Sequence, residues 1–367
     1  MVVWPALARA LCARYGVRAP IVQAPMADAV DWRVAAGAAR AGVLGSIPCA
    51  TLAPDAIAPA AQNFRETAPE GAPLHLNFFT THDAAAPSEA RQQRWVEELA
   101  PYYEETGATP PSKAELLATN GRASFDEAAC AAVEAVRPDI VSFHFGLPED
   151  ALLDRVRATG ASVWCTATTV AEAKALSGRV DVIIAQGAEA GGHRGSFLGG
   201  DCYVKPPLVG TMALVPQVVD AVNVPVIAAG AIADGRGVVA ALALGASGVS
   251  VGTAFLRAED SLINDGHRAA LASSRDDATV VTNVYSGRPA RGFANRLVRE
   301  LGPISPAVPE FPWASTAVKP LAAADPEAFH GSRWAGQAAA VAPARGNGEA
   351  VAEWLVADAE RVLGGLL

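Results

Sequence analysis

The chain has 367 residues, a length that fits two domains of about 150 residues or one large domain with insertions. Apolar residues make up 51% and charged residues 18%, which excludes a disordered chain. With 29 basic against 38 acidic side chains the net charge is −9, and no basic stripe exists to grip a nucleic-acid backbone.

The opening segment MVVWPALARALCARYG has no basic leader, and Arg9 and Arg14 interrupt its apolar run, so no signal peptide is expected. Five scattered cysteines (Cys12, Cys49, Cys130, Cys165, Cys202) show no CxxC or Cys/His spacing. They read as buried small hydrophobes in a reducing compartment, and a cytoplasmic protein without a metal site is expected.

Apolar strand-like runs follow in order: IVQAP (21–25), GVLGS (42–46), LHLNFF (74–79), DIVSFHF (139–145), SVWCTAT (162–168), DVIIAQG (181–187), PVIAAGA (225–231) and GVSVGTAF (248–255). Ala-rich helical segments separate them. Gly42, Gly160, Gly178 and Gly245 stand where helices end in a left-handed residue, and Asp234 stands where an N-cap is favoured. The uncharged stretch 237–256 reaches the length of a membrane span, but its glycines and its change of period at LGASG read as a buried helix, turn and strand.

Eight such units predict an α/β protein, a TIM (β/α)8 barrel, with a doubly wound open sheet as the alternative. No G-x-G-x-x-G follows the first strand to favour the latter. The barrel is expected over 1–256, with an insertion at 80–138 contributing to a smaller cap. Residues 257–340 are read as a cap and substrate segment, and 341–367 as a C-terminal helix packed on the barrel.

Four clusters carry chemistry. Gly230 ends the seventh strand and Gly252-Thr253 the eighth, where barrels bind phosphate on bare backbone; the plain alternative is that both glycines permit turns. Gln186 to Gly195, QGAEAGGHRG, places His193 on a Gly-rich turn after the sixth strand, as a general base or as a turn cap. His144 ends the fourth strand and is either a second site histidine or a satisfied core residue. Gln23, Ala24, Pro25 and Met26 open the barrel, and Met26 suits a flat ring or the core. Asn77 and Gln186 suit an imide-like edge. Together these residues point to a phosphorylated planar cofactor. His75, His82, His267 and His330 are read as structural.

QAPM, NFF, VSFHFG, AQGAEAGGHRG, PVIAAGAIADG, SVGTAFL, SGRPARGFANRL (286–297) and WAGQ (334–337) make the chain resemble the nitronate monooxygenases, formerly 2-nitropropane dioxygenases, with SFHFG pointing to class I. The resemblance runs from about residue 18 to 340. It implies an FMN-dependent barrel that oxidises alkyl nitronates, and by extension nitroalkanes, with O2 to a carbonyl compound and nitrite. It assigns Asn77, Gln186, Gly191, Gly192, Gly230, Ser250, Val251, Gly252 and Thr253 to FMN, and His193 to catalysis. His144 is assigned to catalysis and substrate, and Lys319 to the substrate. Phe311 and Ser315 stand where family members often carry tyrosines, which leaves the physiological substrate open. The implied partners are a small nitronate or nitroalkane and O2, without nucleic acid or membrane; a homodimer is left open. An FMN-dependent NAD(P)H reductase of enoyl- or quinone-reductase type is the alternative, followed by a flavin-free phosphate-binding lyase or synthase and by a flavin-binding protein without turnover.

Overall fold

The computed structural model describes residues 3–81, 88–118, 124–199 and 204–366; His82 and Cys202 lie outside the described residues. Among the described residues eleven strands occur in chain order: β1 Ile21–Gln23, β2 Ser46–Pro48, β3 His75–Phe79, β4 Ile140–His144, β5 Ser162–Ala167, β6 Val182–Gln186, β7 Gly192–His193, β8 Val226–Ala229, β9 Gly248–Val251, β10 Thr279–Thr282 and β11 Ala290–Phe293. Eight of them form one parallel sheet in the order β1-β9-β8-β6-β5-β4-β3-β2. The sheet curls until β1 meets the segment before β2: Gln23 N donates to Leu44 O (2.8 Å) and Leu44 N to Ile21 O (3.0 Å). This is a TIM barrel, and β8 and β9 are its seventh and eighth strands.

The second strand departs from the expected 42–46. Leu44 bridges to Val22 on one side, while the ladder to β3 begins only at Ser46. Gly45 between them lies against the helix Trp32–Arg40, so closely that a Cβ there would stand 2.0 Å from Ala35 O. Packing against that helix bends the chain and divides one strand between two neighbours.

Both faces of the sheet are covered, which explains strands with few polar residues. Leu76, Phe78, Phe143, Cys165 and Ile183 join the layer beneath the surrounding helices. Val22, Leu44, Ile140, Trp164, Val182 and Ile227 point inward and pack with Leu11 of the first helix, Ala6–Tyr15, which closes the amino end. Trp164 Nε1 donates to Tyr15 Oη at 3.0 Å. The expected helix signals act as read: Gly42, Gly160, Gly178 and Gly245 all take positive φ, and Asp234 accepts from Arg236 N and Gly237 N. The uncharged stretch 237–256 folds as the end of helix Gly235–Ala243, then β9 and the short helix Thr253–Leu256. No helix among the described residues is long and apolar enough to cross a membrane. Cys12, Cys49, Cys130 and Cys165 are buried free thiols.

Within the stretch 80–138, helix Glu127–Val136 belongs to the layer around the barrel, packed on Pro54–Thr67 and Asp150–Ala158. Helices Glu89–Thr106 and Lys113–Leu117 leave the barrel and pack with Ser315–Ala324. Trp95, Leu99, Tyr103, Leu297, Ala317, Leu321 and Phe329 give that unit a core of its own. Its second part is an antiparallel sheet, β10-β11-β7, in which β11 pairs with the Gly192–His193 strand. The last helix, Gly348–Gly364, packs on Trp32–Arg40 and Gly235–Ala243, and Gly235 N donates to Asp358 Oδ2 at 2.7 Å.

Candidate active site

A cavity of about 360 Å3 opens at the carboxyl ends of the barrel strands, within the range that holds small ligands and at the end where barrels carry their chemistry. Ala24, Pro25, Met26, Asn77, His144, Gln186, Gly191, Gly192, His193, Gly230, Ser250, Gly252 and Thr253 all line it, although the chain separates the first from the last by more than half its length. Two residues named with them do not line it. Gln23 is buried below, accepting from Ser46 N at 2.9 Å and donating to Ala24 O, so its amide closes the barrel seam. Val251 faces outward into the apolar layer under the helices, as strand alternation requires beside Ser250.

Lys319, expected at the substrate, stands apart from the cavity lining. It lies on helix Ser315–Ala324, whose Ala317, Val318 and Leu321 are buried against the cap core. That face places Lys319 on the exposed side, and it does not line the cavity.

The AGGH turn is held rigidly. Its edge pairs with β11, and two side chains converge on the His193 carbonyl: Gln186 Nε2 donates at 2.9 Å and His144 Nε2 at 3.0 Å. Gln186 Oε1 accepts from Gly195 N at 2.9 Å. Gln186 and His144 therefore orient the loop while lining the cavity where the sequence expects them to address a ligand. The Gly residues follow from space: a Cβ at Gly191 would stand 2.6 Å from Ala335 C, and one at Gly195 would stand 2.8 Å from His144 Cε1. Ala335 belongs to the WAGQ segment, which closes over the turn through Gly336 N to Thr253 Oγ1 (2.9 Å) and Gln337 N to Glu189 O (3.0 Å).

The His193 ring is buried and its Nε2 lies 2.9 Å from Ser286 Oγ. The Ser286 hydroxyl donates to Arg288 O (3.2 Å), so it accepts from Nε2–H, which assigns Nδ1 as the basic nitrogen. Phe311 and Trp334 stand edge-on to the ring at 5.1 and 5.3 Å between centroids. Asn77 is oriented from behind by a buried chain. Its Nδ2 donates to Ser142 Oγ (2.8 Å), which bonds His75 Nε2 (2.7 Å), and His75 Nδ1 meets Ser46 Oγ (2.6 Å).

Burial pushes His144 and His75 down to about 3. For His144 the positive charges of Arg288 and Arg194 add to the effect, and its bond to the His193 carbonyl opposes it. His144 is therefore neutral at physiological pH, with its proton on Nε2. His267, read as structural, in fact lines the cavity with Asn264, Ser332 and Trp334. It too is pushed down by burial, to about 4, and bonds Trp334 O at 3.0 Å. Its signal lay in the N-cap Asn264, but the segment reaches the cavity only through tertiary folding.

A stability prediction follows. Between the unfolded value of about 6.5 and these lowered values the unfolded chain binds protons that the folded chain excludes. Stability should therefore fall as pH drops, by on the order of 1.4 kcal/mol per pH unit for each such histidine. Urea midpoints measured from pH 7 to 4.5 check this, before most carboxylates titrate; a flat profile would count against it.

The backbone also carries strain here. Asp28 and Ala231 line the cavity with φ of 63° and 60°, and Phe145 beside His144 has φ 78°. Such values in residues other than glycine cluster at functional sites.

Residues 10–356 match the family model described as nitronate monooxygenase. The chain is 40% identical over 352 residues to the nitronate monooxygenase of Paraburkholderia phytofirmans, covering 94% of this chain and 93% of that one. It is 38% identical over 334 residues to the Pseudomonas aeruginosa nitronate monooxygenase, covering 89% and 92%. A solved nitroalkane oxidase from Streptomyces ansochromogenes superposes with a TM-score of 0.84 at 31% identity, over 98% and 100% of the two chains. FabK from Thermotoga maritima shares the fold alone, at 22% identity, a TM-score of 0.69 and 97% of each chain. The matched family and relatives make this TIM barrel an oxidoreductase. The chain belongs to the nitronate monooxygenase family.

Proposed function

We propose that this chain uses FMN and O2 to oxidise alkyl nitronates to a carbonyl compound and nitrite. The observation that carries the reading is the convergence of His193 and a glycine-built cradle on one cavity. At Gly252 a Cβ would stand 3.3 Å from Met26 Sδ and 3.6 Å from Ala24 Cβ, and at Gly230 one would stand 2.9 Å from Ala190 N. The wall is bare backbone where a phosphate or a flat ring needs close approach, so the residues present fit the cofactor. Gly230, Gly252 and Thr253 would hold its phosphate, and Met26, Asn77 and Ser250 its ring system. When bound, FMN supplies electron transfer from carbon to oxygen, which no side chain offers.

The protein's own part is binding and proton handling. A neutral nitroalkane needs its α-proton removed, and His193 Nδ1 is the base, with Ser286 holding the other nitrogen. A preformed nitronate needs no base and is bound and oriented as an anion. Phe79 and Trp334 line the cavity near His193 and limit the water around it.

The test is the visible spectrum of the purified protein, followed by anaerobic mixing with propionate 3-nitronate or with NADH. A flavin spectrum that changes with the nitronate and not with NADH is the expected result. Bleaching by NADH alone would move the chain to the reductases. A colourless protein that cannot be reconstituted with FMN would overturn both readings.

A further inference from the structure

Below the cavity the barrel interior is polar, where barrels usually stack branched apolar side chains. Ser46, His75 and Ser142 come from the neighbouring strands β2, β3 and β4, and each is at most 1% exposed. Burying three polar side chains is costly unless they bond one another, and His75 bonds both hydroxyls through its two ring nitrogens. Ser46 is tied in turn to the barrel seam, its N donating to Gln23 Oε1. The Trp164 ring backs His75 at 5.2 Å between centroids. The imidazole is therefore fixed in place, and with it the Ser142 hydroxyl on its Nε2 side.

Asn77 stands opposite Ser142 in the β3–β4 ladder and lines the cavity. Its Nδ2 donates to Ser142 Oγ at 2.8 Å and lies 3.3 Å from Ser142 O. A main-chain carbonyl only accepts, so the amide atom beside it must be the nitrogen, and the turn of the amide is settled. Asn77 Oδ1 bonds nothing among the described residues. Gln186, expected at the same edge of a ligand, is engaged at both ends by His193 O and Gly195 N. His144 is held likewise between Thr166 Oγ1 and His193 O. Of these three side chains, Asn77 alone keeps a polar atom uncommitted, and that atom is an acceptor.

We propose that His75 is a positioning residue that, through Ser142, turns the Asn77 amide so that the cavity meets its oxygen, and that the site thereby demands an N–H donor at this edge of its ligand. The inference rests on the proposed cofactor. An oxidised isoalloxazine carries one ring N–H, the imide N3–H, flanked by two carbonyls. An amide oxygen repels those carbonyls and bonds the N–H between them, so it fixes how the ring can lie. His75 thus does more than fill the core.

The test compares FMN with FMN methylated at N3, by quenching of flavin fluorescence on the whole chain freed of flavin. The wild type should bind FMN at least about tenfold more tightly, the usual worth of a lost hydrogen bond that strands an acceptor. Neither His75 nor Ser142 lines the cavity, so their variants leave the wall that meets the ligand unchanged. His75→Leu and Ser142→Ala should each bring the preference within about threefold, chiefly by weakening FMN, because the amide is then free to turn. His75→Gln, which can still bond Ser142, should restore most of the preference. If His75→Leu fails to fold, Ser142→Ala decides. A wild type that does not distinguish the two flavins, or variants that weaken both equally, would make His75 a packing residue and overturn this inference alone. A chain that binds neither flavin would overturn the proposed cofactor and this inference with it.

Discussion

His193→Asn is expected to lower turnover of a neutral nitroalkane by about 10²–10⁴-fold, the usual worth of a positioned general base, while sparing much more of the turnover of a preformed nitronate. The contrast isolates proton abstraction because the two substrates differ only in whether the α-proton is already gone. The substitution leaves the loop intact: Gln186 and His144 bond the main-chain carbonyl of residue 193, and β11 pairs with its backbone. Asparagine keeps a donor for Ser286 but offers no lone pair of comparable basicity. Steady-state rates on nitroethane and ethyl nitronate, with the flavin content of both proteins measured, check the prediction. Equal loss on the two substrates would remove the base assignment.

Gly45→Ala should be strongly destabilising, at about 3 kcal/mol or more, the upper end of overpacking costs. The added Cβ would stand 2.0 Å from Ala35 O and 2.6 Å from Ala35 C. Those atoms are backbone in the middle of helix Trp32–Arg40, so no rotamer change makes room. The helix must move off the seam where Leu44 bonds Ile21 and Gln23 and closes the barrel. Gly160→Ala is the control: Gly160 has φ 89° with nothing within 4 Å of a new Cβ, so it should lose only about 1 kcal/mol, from the left-handed backbone. Urea unfolding of both variants checks the pair. A Gly45→Ala midpoint equal to that of Gly160→Ala would refute the argument.

Much of the architecture was legible because local physics dictates it. Strands covered on both faces must be apolar, and Gly160 or Asp234 mark helix ends by their own conformational and hydrogen-bonding preferences. The second strand was misplaced because its end depends on Ala35, a residue of the helix that precedes it. In the site, Gly230, Gly252 and His193 were visible as Gly-rich strand ends, and they do line the cavity. Lys319 was assigned by the family resemblance, and the helix that carries it places it on an exposed face away from the cavity lining.

The sequence by itself determined the barrel, its family and the residue types at the strand ends, since periodicity and short motifs encode local geometry. Only the tertiary structure decided what those side chains are free to do. Gln186 and His144 read as ligand-facing groups; both line the cavity, and each also bonds the His193 carbonyl, seven and 49 positions away. His267 and Trp334 enter the cavity, and Arg194 and Arg291 are buried on loop carbonyls, through contacts that no spacing along the chain records. A hydrogen bond or a buried charge is a relation between distant residues, and the order of amino acids lists only one partner at a time.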